Sequence, residues 1–232
     1  MTESARDGIL GILRAAARNR DDGAARAAVT ERVKAHPRNL IPARGQDAGA
    51  KAVDRFIQMA TASAATVAVV PNGARVPHAV ADYLSAHNLP SRVRVGPDPD
   101  LAALPWSRRP TLEVLYGPAA ADDLVSVTPA LAAVAETGTL MTRSGPGHPT
   151  TLNFLPNTHI VVLPIERVVG SYEDAWDQLR AGLTEGADFP RTVNFITGPS
   201  RTADIEQTPQ LHAHGPGRLH ILLVGDAAAP QA

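Results

Sequence analysis

Residues 66–95 read TVAVVPNGARVPHAVADYLSAHNLPSRVRV. The opening TVAVV is short, apolar and β-branched, the make-up of a buried strand. VPHAVADYLSAHN at 76–88 follows as a helix, and RVRV at 92–95 returns to strand. LEVLY at 112–116 adds a further strand. Strand, helix and strand in alternation predict an α/β fold, with a mostly parallel sheet covered by helices.

On the N-terminal side, a helix is expected from Asp47 to about Ala64, with Val53, Phe56, Ile57 and Ala60 facing inward. Before it, residues 3–20 place Ile9, Leu10, Ile12 and Leu13 on one stripe of an amphipathic helix, and residues 23–35 continue as a second helical piece. HPRNLIPARGQ breaks the pattern with Pro37, Pro42 and Gly45, which sets a boundary near residue 45. Residues 1–45 are too short to fold alone and are expected to pack on the body or on a partner. On the C-terminal side, residues 124–142 are strand-rich with one glycine turn, and HIVVLP and ERVVG follow as strands. YEDAWDQLRAGL at 172–183 is a helix, and TVNFIT and RLHILLV are buried strands. One α/β domain over 46–226, with 227–232 as a disordered tail, is the expected organisation.

The chain has 232 residues, 44% hydrophobic and 19% charged, the balance of a globular protein. A net charge of −1 provides no bulk positive field for nucleic acid or an anionic membrane. Aromatic residues make up 4% and do not interleave with basic ones, which argues against a base-stacking platform. There is no cysteine, so a thiolate-ligated iron–sulfur cluster, a Cys-type zinc site, a cysteine nucleophile and a disulfide are all excluded. No apolar run approaches the length of a membrane span, and MTESARDGIL lacks the pattern of a signal peptide. A cytoplasmic location is expected, and no cofactor motif is read.

GPSRTADIEQ at 198–207 is the densest polar connection, lying between TVNFITG and RLHILLV. It follows a strand, where open α/β sheets place their ligand sites. Asp204 and Gln207 are spaced to start a short helix, in front of which backbone N–H groups near Ser200 to Asp204 favour an anion. Ser200, Arg201 and Thr202 add donors, with Arg201 able to grip a carboxylate or phosphate in bidentate fashion. Asp204 and Glu206 are candidate acids, bases or ligands; the structural alternative pairs Arg201 with Asp204 and uses Ser200 to cap the turn. In AETGT at 135–139, Glu136 is a candidate nucleophile or base with the Gly138 backbone approaching a ligand; otherwise it sits in a solvent-facing hairpin. RSGPGHP at 143–149 carries Arg143, Ser144 and His148 but no phosphate-loop pattern, and reads as a stiff turn. His212 and His214 share a strand face but lack a clear third ligand, so no metal site is assigned. His159 reads as the polar end of a buried strand.

Together, AETGT at 135–139, HIVVLP at 159–164, TGPSRTADIEQ at 197–207 and HGPGRLHILLV at 214–224 resemble the LUD-domain family, in its small LutC/YkgG-type branch. The likeness spans roughly residues 46–225, and ILGILRAAARNR at 9–20 also suits that branch. It implies a sheet of the sugar-isomerase and CoA-transferase (NagB/RpiA-like) type, and a place in bacterial oxidation of L-lactate to pyruvate, where electrons pass through iron–sulfur partner subunits. For a chain without cysteine, it implies a ligand-binding or assembly subunit with no redox centre of its own. Arg201 then grips a small carboxylate, with Gly198, Ser200 and Thr202 around it, and His214 or Glu136 meets the hydroxyl or keto group. The alternative from the same residues is a stand-alone isomerase or acyl-transfer-type enzyme acting on a phosphosugar or CoA ester through Glu136 or Asp204.

Overall fold

The computed structural model describes residues 5–18, 22–183, 189–202, 210–211 and 214–226, and its compact units are Met1–Leu40 and Ile41–Ala232. The first unit contains two helices, α1 (Ala5–Arg18) and α2 (Asp22–Ala35). Ile9, Ile12 and Leu13 share a face of α1, as the spacing predicts, and all three are exposed.

The second unit opens with α3 (Ala50–Ala62), β1 (Thr66–Val70), α4 (Val76–Ala86), β2 (Arg92–Val95), the single-turn α5 (Pro99–Ala102) and β3 (Glu113–Tyr116). It continues with β4 (Val125–Pro129), β5 (Ala132–Val134), β6 (Thr139–Arg143), α6 (Thr151–Phe154), β7 (Thr158–Pro164), β8 (Val168–Val169), α7 (Tyr172–Ala181), β9 (Val193–Ile196), β10 (Arg201–Thr202), β11 (Gln210–Leu211) and β12 (Arg218–Val224). The central sheet has six strands in the order β1-β12-β7-β4-β2-β3, and every pairing is parallel. The α/β expectation of a helix-covered parallel sheet holds.

Alternation along the central strands assigns the two faces. Val161, Leu163, Ile221 and Leu223 point to the side where α3 brings Val53, Phe56 and Ala60. Ile160, Val162 and Leu222 point to the other, against Val76, Val80 and Leu84 of α4. Period-2 alternation with apolar residues at every position is what a sheet covered on both faces requires. Each fully buried side chain of this size contributes about 1.5–3 kcal/mol relative to its exposed state.

A second sheet was not anticipated. It runs β8-β5-β6-β9, with β5 and β8 parallel and the other pairs antiparallel. Ala133, Ala135 and Leu140 join the cluster under α3, whereas Ala132, Val134 and Met141 pack against Ala175 and Leu179 of α7. ERVVG also differs from its reading: Ile165–Arg167 forms one 3-10 turn after Pro164, and only Val168 and Val169 pair with β5. The tail at 227–232 lies outside the described residues. Among the described residues, no helix is long and apolar enough to cross a membrane.

Candidate functional site

The strand order places a crevice between β2 and β4. From β2 the chain goes on to β3, its outer neighbour, whereas from β4 it goes to β7 on the opposite side. The loops leaving the carboxyl ends of these adjacent parallel strands therefore diverge, which is where open α/β sheets bind ligands. A cavity of about 130 Å³ occupies this point, walled by Pro129 to Leu131 after β4 and by Asp98, Asp100, Arg143, His148 and Arg167.

Each polar group arrives from a different element. Asp98 follows β2 and caps α5, its Oδ1 accepting from the N–H groups of Asp100 (3.0 Å) and Leu101 (3.1 Å). Its Oδ2 lies 3.8 Å from His148 Nε2. Arg143 ends β6, and His148 closes the following turn by donating its N–H to the Gly145 carbonyl at 3.0 Å. Arg167 ends the 3-10 turn after β7. Burial lowers the pKa of His148 below the ordinary histidine value; Asp98 opposes this, while Arg143 and Arg167 add to it. The imidazole is thus neutral at pH 7 and able to donate one hydrogen bond and accept another. Among the described residues, neither the Arg143 nor the Arg167 guanidinium has an ion-pair partner. The crevice therefore presents two guanidiniums outside any ion pair beside a neutral imidazole, with the carboxylates of Asp98 and Asp100 on the same wall, a setting for a small anion held by the arginines and bearing a second polar group.

Behind the crevice, Thr128, Thr142, Asn153 and His148 enclose a cavity of about 10 Å³, at the lower limit for one water. Thr128 Oγ1 lies 2.7 Å from Nε2 of the fully buried His159.

The residues singled out from sequence gather mainly along α3. Glu136 is buried, and its Oε1 accepts from Arg44 Nε (3.2 Å) and Nη2 (3.1 Å). Gly138 has φ +68°, and a Cβ there would lie 2.3 Å from the Ala60 nitrogen, so only glycine fits. Gly198 has φ +69° and presses against the Ser63 carbonyl at the end of α3. Arg201 Nη2 donates to that same carbonyl at 3.2 Å. Ser200 donates its N–H to the Pro216 carbonyl (2.8 Å), and its Oγ accepts from the His214 N–H (3.2 Å). Thr202 pairs with Gln210 in a two-strand ribbon of β10 and β11. Asp204, Glu206 and His212 lie outside the described residues. The structure thus unites Gly138, Gly198 and Arg201 around the end of α3, and none of them lines the crevice. Among the described residues, no group of three His, Asp or Glu side chains is arranged to hold a metal.

Two crevice residues, Arg143 and His148, belong to the segment read as a stiff turn. Asp98 and Arg167 were not singled out. The Asp-Pro-Asp helix start at 98–100 was the available local signal for Asp98. Arg167 offered none.

Comparison with known proteins finds that residues 118–224 match the family model described as LUD domain. Lactate utilization protein C of an Exiguobacterium strain is 37% identical over 102 residues, which is 44% of this chain and 44% of that protein. The protein of the same name from Bacillus subtilis is 33% identical over 102 residues, covering 44% of this chain and 42% of its own length. The alignment therefore spans less than half the length of these curated relatives. A crystal structure of a DUF162 family protein from Deinococcus radiodurans superposes with a TM-score of 0.56 at 21% identity, covering 76% of this chain and 98% of that one, a likeness of fold. The 118–224 match contains Arg143, His148 and Arg167, while Asp98 precedes it.

Proposed function

We propose that this chain, whose residues 118–224 match the LUD-domain model, serves lactate utilization as a carboxylate-binding component without a redox centre of its own. The relatives' shared name supports the pathway, and the absence of cysteine supports the division of labour. Oxidation of L-lactate to pyruvate releases two electrons and two protons, and a chain with no cysteine holds no thiolate-ligated cluster to receive the electrons. Iron–sulfur partner subunits then carry them.

The observation that carries the binding reading is the pair of guanidiniums, Arg143 and Arg167, facing a crevice of about 130 Å³ at the strand-order switch. A carboxylate between them satisfies both cations. The neutral His148 then meets the 2-hydroxyl or 2-keto oxygen, and Asp98 orients the ring. Bound anionic charge raises the His148 pKa, which favours its holding a proton while ligand is present.

The test is L-lactate-dependent dye reduction in extracts lacking this protein, with purified protein added back. Wild type is expected to restore the rate, and Arg143→Ala/Arg167→Ala to restore less than about a tenth of it, as expected from losing two charge-assisted contacts at about 1.5–3 kcal/mol each. Equal rescue by the double variant would overturn the site assignment.

A second reading, acyl or phosphosugar chemistry through Glu136 or Asp204, is supported by one observation, the buried carboxylate of Glu136 beside a strand end. The Arg44 guanidinium on Oε1, and Gly45 against Oε2, stand across its approach. Incubation with acyl-CoA followed by peptide mass spectrometry tests it; an acyl adduct on Glu136 would establish covalent use, and its absence with a panel of acyl-CoAs would end that use.

A further inference from the structure

The crevice continues into a second, larger chamber. This outer cavity is about 400 Å³, against about 130 Å³ for the inner one, and the two share Asp98, Arg143 and His148 as their common wall. The inner chamber brings the charge. The outer one is walled by Pro99, Pro146, Leu183, Pro190 and the glycines of the 144–147 loop, with Ser144 as its hydroxyl. A three-carbon acid held by Arg143 and Arg167 leaves this outer space unused.

The loop glycines bear on this point. Pro146-Gly147 in a four-residue turn is the pairing of a type II turn, in which glycine supplies a positive φ. The turn closes, since the His148 N–H reaches the Gly145 carbonyl, yet neither Gly145 nor Gly147 has a positive φ. Neither position is crowded either. A Cβ on Gly145 would meet only His148 Cδ2, at 3.6 Å, whereas one on Gly147 would rest in ordinary contact on the Pro97 carbonyl oxygen (3.4 Å) and the Asp98 Cα (3.5 Å). Backbone strain and tight packing demand glycine at Gly138 and Gly198, but not here. What the missing side chain accomplishes at Gly145 is an open outer wall, along which a ligand approaches the backbone.

Resting on the carboxylate reading above, we infer that the crevice takes a 2-hydroxy- or 2-oxo-carboxylate with an apolar body, its acid group in the inner chamber and its body along the Ser144–Gly147 wall of the outer one. Lactate and pyruvate then occupy only the inner half of the site. Longer acids of the same head chemistry gain the apolar surface that their chains remove from water.

Calorimetric titration of the full chain with L-lactate, pyruvate, 2-hydroxyhexanoate and 4-methyl-2-oxopentanoate tests this. Wild type is expected to bind the two longer acids at least about tenfold more tightly than the three-carbon acids, a modest return for several buried methylenes. Gly145→Leu narrows the outer chamber beside His148 and should abolish the preference for longer acids, whatever it does to lactate affinity itself; Gly145→Ala should fall between. Melting temperatures of both variants report whether the fold is kept, and the alanine variant serves alone if the leucine variant does not fold. Equal affinity of wild type for short and long acids would overturn the two-chamber reading and leave the Arg143–Arg167 site standing. Equal weakening of short and long acids in a folded Gly145 variant would also overturn it. Absence of binding by all four acids would overturn both readings.

Discussion

His159 has no exposed surface on β7; its Nε2 meets Thr128 Oγ1, and among the described residues its Nδ1 has no partner. Burial pushes its pKa down to about 3, and burial with the nearby His87 pushes His220 down to about 4. Both are folded in as neutral imidazoles. In the unfolded chain they take up protons near pH 6.5, so the unfolded state binds more protons throughout the window between those values. Stability is therefore lost as pH falls from about 6.5 toward 4, by up to about 1.4 kcal/mol per pH unit from each histidine. The expected outcome is a melting temperature that drops from pH 7 to pH 4, with a shallower drop in His159→Gln. An unchanged slope in that variant would mean that the folded protein protonates His159. The sequence reading placed His159 at the polar end of a buried strand; the structure buries it fully, one residue inside β7.

At the scale of elements, β2 is anchored to the turn before β4 by a buried ion pair. Arg94 donates from Nε (2.7 Å) and Nη2 (3.3 Å) to Asp123, whose Oδ2 also accepts from the Ala120 N–H at 2.7 Å. Asp123 is only 5% exposed and the Arg94 side chain is 19% exposed, so removing the carboxylate leaves a largely buried guanidinium without its partner. Asp123→Ala is expected to destabilise by about 3 kcal/mol in urea unfolding, and to disturb the crevice beyond β2 and β4. A loss below about 0.5 kcal/mol would show the pair to be ornamental. Strands β1, β7 and β12 were legible as elements because each is a short apolar run with β-branched residues, β2 because valine alternates with arginine, and α3 and α7 because their inward residues recur at helical spacing. The split into two sheets was not legible. β5 and β6 are as apolar as the central strands, and only their pairing with β8 and β9 separates them.

For the molecule as a whole, the candidate site shows the same limit more sharply. RSGPGHP reads locally as a turn, and it is one. Arg143 and His148 become part of a site only because β4 lies beside β2, which brings Asp98 to them, and because the turn after β7 brings Arg167. Neighbour relations in a sheet are not written in any one segment. GPSRTADIEQ, with its hydroxyls and charges, drew attention through composition, yet its described residues Gly198 and Arg201 close over the end of α3. The strand order has one more consequence, in time rather than space. β1 pairs with β12, Thr66 opposite His220, and that partner is made after every other strand described here. At roughly 5–20 residues per second, TVAVV leaves the ribosome roughly 8–30 s before the strand that covers its flank. During that interval an apolar, β-branched strand stands on the nascent chain without its hydrogen-bonding partner.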